Sequence, residues 1–527
     1  MTSSADPFPG GPVPGSSLNA ARRARELAEA RQEVADLLVV GLGATGAGVA
    51  LDAAARGLSV VAVDAHDLAF GTSRWSSKMI HGGLRYLARG QVGVAMESAV
   101  ERDTLLRRTA PHLVTAQPYL LPLTSGVSPA QAATVMAGYR LGDALRAAAG
   151  TPRRALPGPS RIPAARARAL APALRGAGLR GALASFDARV VDDARLVVAI
   201  ARTAAAHGAR VLTRVRALAL AGDGAEARDE LTGEVFTLRA RRVVNAAGVW
   251  AGGLTSSVSL RPSRGTHLVL RPGALGDLRA GLHVPIPGKG ARFVLVLPQP
   301  DGRIYVGLTD EPVDGPIPDV PEPPAADVAF LLDVLGSVLA EPPGPADVAG
   351  AYAGLRPLPA GAGSTADLSR RHRVVIAPDG VVTVVGGKLT TYRRMAQDAV
   401  DAAFPAAPSS RTARLPLVGA RTPSGPSGPS GPDVRGVPAR LVERYGAEAA
   451  AVYALGREGL VGAVEALPLG VSVAELVWAV RHEGALSAGD LLDRRTRIGL
   501  VDADRAAALP AAERVLHEHG LPEHGLS

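Results

Sequence analysis

The chain has 527 residues, of which 47% are hydrophobic, so it is long enough for two to three domains with large buried cores. It has no cysteine, which excludes disulfides, a thiol nucleophile and cysteine-ligated metals, and its 11 histidines lack metal-ligand spacing, so we predict no metal site. The net charge of +9 allows an anionic substrate, an anionic membrane surface or nucleic acid as partner. Nucleic acid is the least favoured, because the positive charge is spread along the chain without interleaved aromatic residues.

Residues 1–34 are predicted to form an N-terminal extension, partly disordered and partly helical. Residues 1–17 are rich in Pro, Gly and Ser and lack a charged-then-apolar signal sequence, which predicts a disordered tail on a cytoplasmic protein. Residues 18–34 form a charged helix whose apolar face is mostly alanine, so we expect a solvated helix and not a membrane anchor. No apolar run in the sequence is long enough for a transmembrane helix.

A dinucleotide-binding unit is predicted next along the chain. Residues 36–40 are typical of a buried strand, Gly41, Gly43 and Gly46 of the tight turn that follows it, and residues 47–56 of the next helix. A second strand ends at Asp64, the position at which such a unit binds a ribose hydroxyl. The pattern does not distinguish NAD from FAD.

Residues 71–87 concentrate hydroxyls, cations and glycines, which suits a cofactor and an anionic substrate meeting at one place. Within this run, Ser-Ser-Lys-Met-Ile-His-Gly-Gly-Leu-Arg-Tyr-Leu at 76–87 resembles the flavin-dependent glycerol-3-phosphate dehydrogenases, whose loop after the second strand wraps the flavin. The resemblance can be followed from residue 35 to about residue 401. It implies FAD as the cofactor.

The resemblance implies an α/β fold in which a Rossmann-like FAD-binding domain is discontinuous in sequence. We place its parts at about 35–105, 185–258 and 349–404, and a substrate (cap) domain at about 106–184 and 259–348. Many prolines interrupt 106–184, which therefore favours helices and loops over a sheet layer. Alternating strands in 259–348 predict an antiparallel sheet, with Thr309 and Asp310 near the pocket.

Residues 381–391 predict a strand, a Gly-Gly turn and a helix whose first N–H groups could hold the negative charge that a flavin gains on reduction. The alternative is an ordinary helix start capped by Thr390 or Thr391. Together with the turn glycines and Asp64, the resemblance implies a set of FAD-binding residues: Thr72, Ser73, Ser76, Ser77, Lys78, His81, Gly82, Gly83, Ala247, Gly248, Gly387, Lys388, Leu389 and Thr390.

A phosphomonoester is best held by guanidinium and ammonium groups in a water-poor pocket. By resemblance, the substrate-site positions are Arg85, Tyr86, His267, Arg356, Arg370 and Lys388. The register at Arg370 could slip by one, since 369–373 holds several cations. His267 is the candidate general base for the substrate hydroxyl; Arg356 then binds and stabilises the developing oxyanion, and Lys388 assists at the substrate or the flavin. The rival assignment makes His267 a hydrogen-bond donor only.

After residue 404 the composition changes to a Ser-Gly-Pro repeat, so we predict a solvated linker over 405–432. Helical patterns resume over 433–527, which predicts a small all-helical C-terminal domain like that of the same family. We expect it to serve as a packing or dimerisation module.

The predicted activity is FAD-dependent oxidation of glycerol 3-phosphate to dihydroxyacetone phosphate, with electrons passed to a membrane quinone. The resemblance implies that the protein associates loosely with the inner face of the cell membrane. It also allows a homo-oligomer. The alternatives are a flavin oxidase that uses oxygen on the same or a related anionic alcohol, and a non-catalytic flavin-binding protein that keeps the fold.

Overall fold

The computed structural model describes residues 11–83, 86, 90–288, 292–361, 371–420, 435–456 and 466–520. Its helices are α1 (Ala20–Gln32), α2 (Ala44–Ala55), α3 (Val92–Thr104), α4 (Pro129–Ala148), α5 (Ala164–Leu170), α6 (Asp193–Ala206), α7 (Ala251–Leu254), α8 (Ala325–Gly336), α9 (Tyr392–Ala403), α10 (Ala439–Tyr445), α11 (Ala449–Leu455), α12 (Val473–His482) and α13 (Asp502–His519).

The strands are β1 (Val34–Val40), β2 (Val60–Asp64), β3 (Met79–Ile80), β4 (Val114–Pro122), β5 (Ser160–Ile162), β6 (Ala182–Val190), β7 (Arg210–Thr213), β8 (Val215–Ala221), β9 (Gly224–Asp229), β10 (Val235–Asn245), β11 (Ser263–Leu270), β12 (Gly281–Pro285), β13 (Phe293–Pro298), β14 (Ile304–Gly307), β15 (Glu311–Pro312), β16 (Val348–Arg356), β17 (Arg373–Ile376), β18 (Val382–Val385), β19 (Ala466–Leu467) and β20 (Val471–Ser472).

The first large sheet is mainly parallel and has the order β17-β18-β10-β1-β2-β7, with β8 and β9 paired beside β10. Its central strand β1 reads Val-Ala-Asp-Leu-Leu-Val-Val, a nearly continuous apolar run that suits a strand covered on both faces. Helices α2, α6 and α9 pack on one face through alanine, valine and leucine side chains. Helix α1 and the β8–β9 ribbon contribute to the core on the other face.

The second large sheet, the cap sheet, has the order β15-β11-β14-β13-β12-β4-β6-β3, with β16 paired to β11 and β5 to β6. The expectation that residues 106–184 hold only helices and loops is therefore wrong, because β4, β5 and the start of β6 lie in this sheet. Proline normally lies at the edge of a sheet, because it has no N–H to donate. Strand β4 tolerates Pro118 since β12 pairs with β4 only at Tyr119 and Leu120, and not at Pro118. The boundary near 349 also differs, because β16 belongs to the cap sheet.

Helix α1 is not solvated as expected. Asn19 caps it by accepting a hydrogen bond from the Arg22 N–H at 2.9 Å, and Leu27 and Ala30 enter the core beneath the first sheet. Arg23 is buried and forms a 2.6 Å ion pair with Asp229 of β9. The alanine-rich sequence of α1 does not predict this ion pair, because Asp229 lies 206 residues further along the chain than Arg23.

The C-terminal domain is a helical cluster, as predicted, with a short β19–β20 hairpin in addition. Its core joins α12 and α13 through residues such as Leu476, Val480 and Val515. The Ser-Gly-Pro repeat at 424–432 lies outside the described residues. Before it, part of the predicted linker is packed on the first sheet's helices: the Val418 N–H donates to Thr203 Oγ1 of α6 at 2.9 Å. Among the residues that the structure describes, no helix has both the length and the apolar character to cross a membrane.

Candidate active site

The turn between β1 and α2 is built for close backbone packing. Gly41 has φ +100°, and a Cβ on it would lie 2.6 Å from the Ala246 carbonyl oxygen. A Cβ on Gly46 would lie 1.7 Å from the Gly41 carbonyl oxygen. No side chain caps α2 at Gly43, and the first helical amide, of Ala44, donates to Ser73 Oγ at 2.9 Å. A helix start with glycines at the closest backbone approach fits a dinucleotide pyrophosphate.

Asp64 lies at the end of β2, beside this turn. Its carboxylate accepts hydrogen bonds from the Leu42 N–H at 2.7 Å and the His66 N–H at 2.9 Å. Burial raises its pKa to about 6, and the two backbone hydrogen bonds only partly oppose this. A buried carboxylate with a raised pKa fits a neutral hydroxyl donor, so Asp64 suits the ribose of a dinucleotide.

The loop at 76–78 is anchored by Asp193, in the first turn of α6. Ser76 donates to Asp193 Oδ2 from its N–H at 2.9 Å and from its hydroxyl at 2.7 Å. The buried Lys78 ammonium lies 2.9 Å from the same oxygen and donates to the Arg74 carbonyl at 2.7 Å. Burial lowers the pKa of Lys78, and Asp193 opposes that shift. The charge of Lys78 is thus compensated within the protein, and its two hydrogen bonds tie the loop to α6 and to residue 74.

His267 occupies the middle of β11, where the register pairs it with Gly307 of β14 and Tyr352 of β16. Its Nε2 lies 2.8 Å from Ser77 Oγ, and its Nδ1 is buried without a hydrogen-bond partner. Burial, followed by the charges of Lys78 and Arg356, lowers the pKa of His267 well below its ordinary value of 6.5. The imidazole is therefore neutral near pH 7, with one ring nitrogen unpaired.

Arg356 ends β16 and crosses over Gly265 of β11, where an added Cβ would lie 2.1 Å from Arg356 Nη2. Positions 265 and 267 lie on the same face of a strand, so the guanidinium and the imidazole share one face of the cap sheet. Arg356 donates to Ser263 Oγ and to the Thr309 carbonyl, each at 3.0 Å. The Thr309 hydroxyl bridges the Thr266 N–H at 3.0 Å and the Asp327 carboxylate at 3.1 Å, so it fixes the cap sheet beside the cation.

Lys388 and Tyr86 lie beside each other and against α3. The Lys388 ammonium donates to Ser98 Oγ of α3 and lies 4.0 Å from the centre of the Tyr86 ring. Lys388 follows the Gly-Gly turn, in which Gly387 has φ +76° and a Cβ would lie 2.3 Å from Met395 Sδ.

The structure bears on the alternative in which a threonine caps the helix that follows Lys388. Neither the short helical turn Leu389–Thr391 nor α9 has a side-chain cap, and the Thr391 hydroxyl donates to the Lys388 carbonyl instead. The Thr391 and Tyr392 amides already donate to the Lys388 and Leu389 carbonyls, so the amides that precede them are the ones that the flavin hypothesis assigns to an anionic group.

Other predicted residues surround these groups. His81 Nδ1 lies 3.4 Å from Asp187 Oδ2, and the Gly82 N–H donates to the same carboxylate. The Thr72 hydroxyl donates to the Leu355 carbonyl at 2.7 Å, next to Arg356. Gly248 has φ +60° and follows Ala247, whose N–H donates to Asn245 at 3.2 Å. Gly83 has φ +87° and packs against Ala95 of α3. Arg85 and Arg370 lie outside the described residues.

Sequence reasoning missed three residues that shape the site: Asp193, Tyr352 and Ser98. The paired acids at 192 and 193 suit the start of a helix, and nothing in their spacing identifies Lys78 and Ser76 as partners. Tyr352 stacks on His267 only because β11 and β16 are neighbours in the cap sheet. Such partners are set by strand order, which sequence patterns do not encode.

Comparison with known families matches two models to this chain. A model described as FAD dependent oxidoreductase covers residues 36–393, and one described as C-terminal domain of alpha-glycerophosphate oxidase covers residues 410–520. The two matches fall on the two-sheet body and on the helical C-terminal part.

Individual relatives agree with these models. Glycerol-3-phosphate dehydrogenase 1 of Mycobacterium tuberculosis is 52% identical over 510 residues, covering 95% of this chain and 98% of the relative. A mitochondrial glycerol-3-phosphate dehydrogenase of Arabidopsis thaliana is 34% identical, covering 96% of this chain and 86% of the relative. The crystal structure of a glycerol-3-phosphate dehydrogenase from Bacillus halodurans complexed with FAD matches with a TM-score of 0.73 at 26% identity, covering 96% of this chain and 95% of that chain.

These matches confirm the resemblance inferred from residues 76–87, the two-sheet fold with its helical C-terminal domain, and FAD as the cofactor. The packed glycines of the turn before α2 suit that cofactor's pyrophosphate, and the carboxylate of Asp64 suits its ribose. The chain belongs to the FAD-dependent oxidoreductases and, within them, to the family of the flavin-linked glycerol-3-phosphate dehydrogenases.

Proposed function

We propose that this protein oxidises sn-glycerol 3-phosphate to dihydroxyacetone phosphate. FAD, held by the turn at 41–46 and by Asp64, would supply the oxidising chemistry as the acceptor of the substrate hydride. One observation carries the proposal: His267 is buried and neutral, its Nδ1 has no hydrogen-bond partner, and it lies on the same face of the cap sheet as the Arg356 guanidinium. A neutral base beside a fixed cation is the arrangement that oxidation of an anionic alcohol needs.

His267 would take the hydroxyl proton at Nδ1. This requires the tautomer in which Nε2–H donates to Ser77 Oγ, which leaves the lone pair on Nδ1. Because burial holds the pKa of His267 well below 6.5, the base is in its active form throughout the neutral range. Arg356 would stabilise the alkoxide that forms as the proton leaves, and its position is fixed by Ser263 and the Thr309 carbonyl.

The phosphate would be bound by cations around this pair. Lys388, held over Tyr86 by its bond to Ser98, is one of them, and the family resemblance adds Arg85 and Arg370. Guanidinium forks and an ammonium in a partly dry site match a group that carries close to two negative charges. The amides of 387–390 would face the pyrimidine end of the flavin.

Electrons would pass to a membrane quinone through a loose contact with the membrane surface. The support is a group of apolar side chains left exposed on the helices beside Lys388: Val92 and Val100 of α3 are 58% and 41% exposed, and Leu141 of α4 is 51% exposed. Co-sedimentation of the holoprotein with anionic phospholipid vesicles tests this. Val92→Glu with Val100→Glu should abolish binding, and Val320→Glu, at a position that is also exposed, should not.

The test of the reaction itself is an anaerobic absorbance spectrum of the holoprotein before and after addition of glycerol 3-phosphate. Loss of the flavin band near ~450 nm, as expected when bound flavin accepts the substrate hydride, supports the proposal. A flavin band that persists supports the non-catalytic flavin-binding alternative. Rapid reoxidation by air with formation of peroxide would assign oxygen, and not a quinone, as the acceptor.

A further inference from the structure

Two consecutive carboxylates at the start of α6 face different parts of the molecule. Asp193 holds Ser76 and Lys78 of the flavin loop, as described above. Asp192 caps α6 by accepting from the Ala194 N–H at 3.0 Å with one oxygen, and its other oxygen faces the C-terminal domain. There it lies 3.2 Å from Arg444 Nη2 and 3.6 Å from Arg497 Nε.

These three charges are almost fully buried. Asp192 is 0% exposed and Arg444 4%. A buried ion cannot turn to solvent when its partner moves, so the positions of Asp192 and the two arginines are tied to one another. Arg497 also adopts a left-handed backbone, with φ 66° and ψ 8°, which a residue other than glycine keeps only when its surroundings hold it there.

The C-terminal domain also contacts β16, the strand that places Tyr352 on His267. The segment 498–501 lies against β16: a Cβ on Gly350 would be 2.3 Å from the Leu500 carbonyl oxygen. Val501 packs in the cluster that contains Tyr305 and Tyr352. Tyr352 stacks on His267 and donates its hydroxyl to the Ser76 carbonyl at 3.0 Å.

The C-terminal domain also braces the loop after Asp64. Both terminal nitrogens of the Arg495 guanidinium donate to the Asp67 carboxylate, at 2.7 and 2.8 Å. Arg494 Nε donates a third bond to it, at 2.6 Å. The Ala69 N–H in this loop donates to the Leu42 carbonyl of the dinucleotide turn at 3.0 Å. The C-terminal domain thus contacts two segments beside the FAD site: the loop after Asp64, through Asp67, and the start of α6, through Asp192.

We infer that Arg444 and Arg497 of the C-terminal domain are positioning residues, which act through Asp192 and Asp193 to fix the flavin loop and, through Ser77, the imidazole of His267. The part that concerns His267 rests on the proposed function; the part that concerns the loop does not. The domain is then a working part of the active site, beyond the packing or dimerisation module expected from the sequence.

Two variants separate positioning from packing. Arg497→Gly removes the guanidinium while suiting the left-handed backbone, and Asp192→Asn keeps an oxygen to cap α6 while removing the charge. The matched control is Arg505→Ala, whose 3.0 Å pair with Asp493 lies at the surface of the same domain. We expect both variants to weaken FAD binding to the apoprotein on the order of 10-fold, a typical coupling between linked sites, and the control to leave it unchanged.

Amide hydrogen exchange supplies a readout that does not depend on turnover. In both variants the Ser76 amide, which donates to Asp193, should exchange faster while amides within α12 keep their protection. Equal loss of protection in α12 would show general destabilisation and overturn the inference. So would an unchanged Ser76 amide together with unchanged FAD affinity.

The native protein offers a reciprocal test, which applies even if a variant does not fold. Coupling between two sites acts in both directions. FAD binding to the apoprotein should therefore slow exchange of the Leu500 and Val501 amides, which donate to carbonyls within their own turn. No slowing would overturn the inference. Because no substrate is added, this result is independent of whether glycerol 3-phosphate reduces the flavin.

Discussion

The imidazole of His267 lies flat on the ring of Tyr352, with the ring centres 4.8 Å apart and the planes inclined by 8°. The stack follows from the pairing of β11 with β16, which sets the two residues opposite each other. Together with the bond from Ser77 to Nε2, it fixes the plane of the imidazole and therefore the direction in which Nδ1 points. The site thus contains one immobilised, neutral imidazole.

Replacement of His267 by Asn tests its role as the base. Asparagine can still hydrogen-bond to Ser77 but cannot accept the substrate proton, so the anaerobic rate of flavin reduction should fall by ~10²–10⁴-fold. His283→Asn, at a buried histidine outside the site, should leave that rate nearly unchanged. A loss of less than ~10-fold in His267→Asn would favour the rival role of hydrogen-bond donor.

The His267 imidazole fits against β14 only because residue 307 is a glycine, so a substitution at Gly307 tests whether the position of the ring matters. A Cβ at Gly307 would lie 2.2 Å from His267 Cδ2, so Gly307→Ala must displace the ring. A shift of this kind is expected to slow flavin reduction by on the order of 10²-fold, while bound FAD is retained. Gly253→Ala, where no atom lies near the added Cβ, is the control. Wild-type reduction in Gly307→Ala would mean that the position of the ring does not limit the reaction.

The dinucleotide turn predicts a loss of cofactor. Because an added Cβ at Gly46 would lie 1.7 Å from the Gly41 carbonyl oxygen, Gly46→Ala must open the turn and move the start of α2. The purified variant should contain little FAD, as judged by the ratio of flavin to protein absorbance. Gly138→Ala in α4, which has free space at its Cβ, should purify with full FAD. Full occupancy in Gly46→Ala would contradict the assignment of this turn.

Stability should fall on mild acidification, in part through His283. Burial, followed by the charge of His81, lowers its pKa from 6.5 to about 4. Between those values the unfolded chain binds more protons than the folded one, so stability is complete above pH 6.5 and declines toward pH 4, by up to about 3 kcal/mol.

The urea unfolding midpoint at pH 7.5 and pH 4.5 measures this decline. The midpoint should fall less on acidification in His283→Asn than in the wild type, because the variant has no group to protonate at that position. His517→Asn, at an exposed position near the end of α13, should behave like the wild type. An identical pH dependence in His283→Asn and the wild type would rule out this source of acid sensitivity.

The dinucleotide unit could be read closely from the sequence. The strand predicted over 36–40 is observed as Val34–Val40, and the helix predicted over 47–56 as Ala44–Ala55. These elements depend on local properties, namely an unbroken apolar run, three glycines and an alanine-rich helix. The error at 106–184 has the opposite origin: β4 is a strand because β6 and β12 lie beside it, in spite of its prolines.

The sequence by itself determined the dinucleotide turn, the family and the cofactor, since each is carried by short motifs whose chemistry is local. The tertiary structure decided which charges pair. With 58 Lys and Arg and 49 Asp and Glu in the chain, composition allows many pairings, and the partners of Asp192 and Asp67 lie in a separate domain. A buried pair forms only where the fold brings opposite charges together away from water, so the link from the C-terminal domain to His267 is a property of the assembled structure.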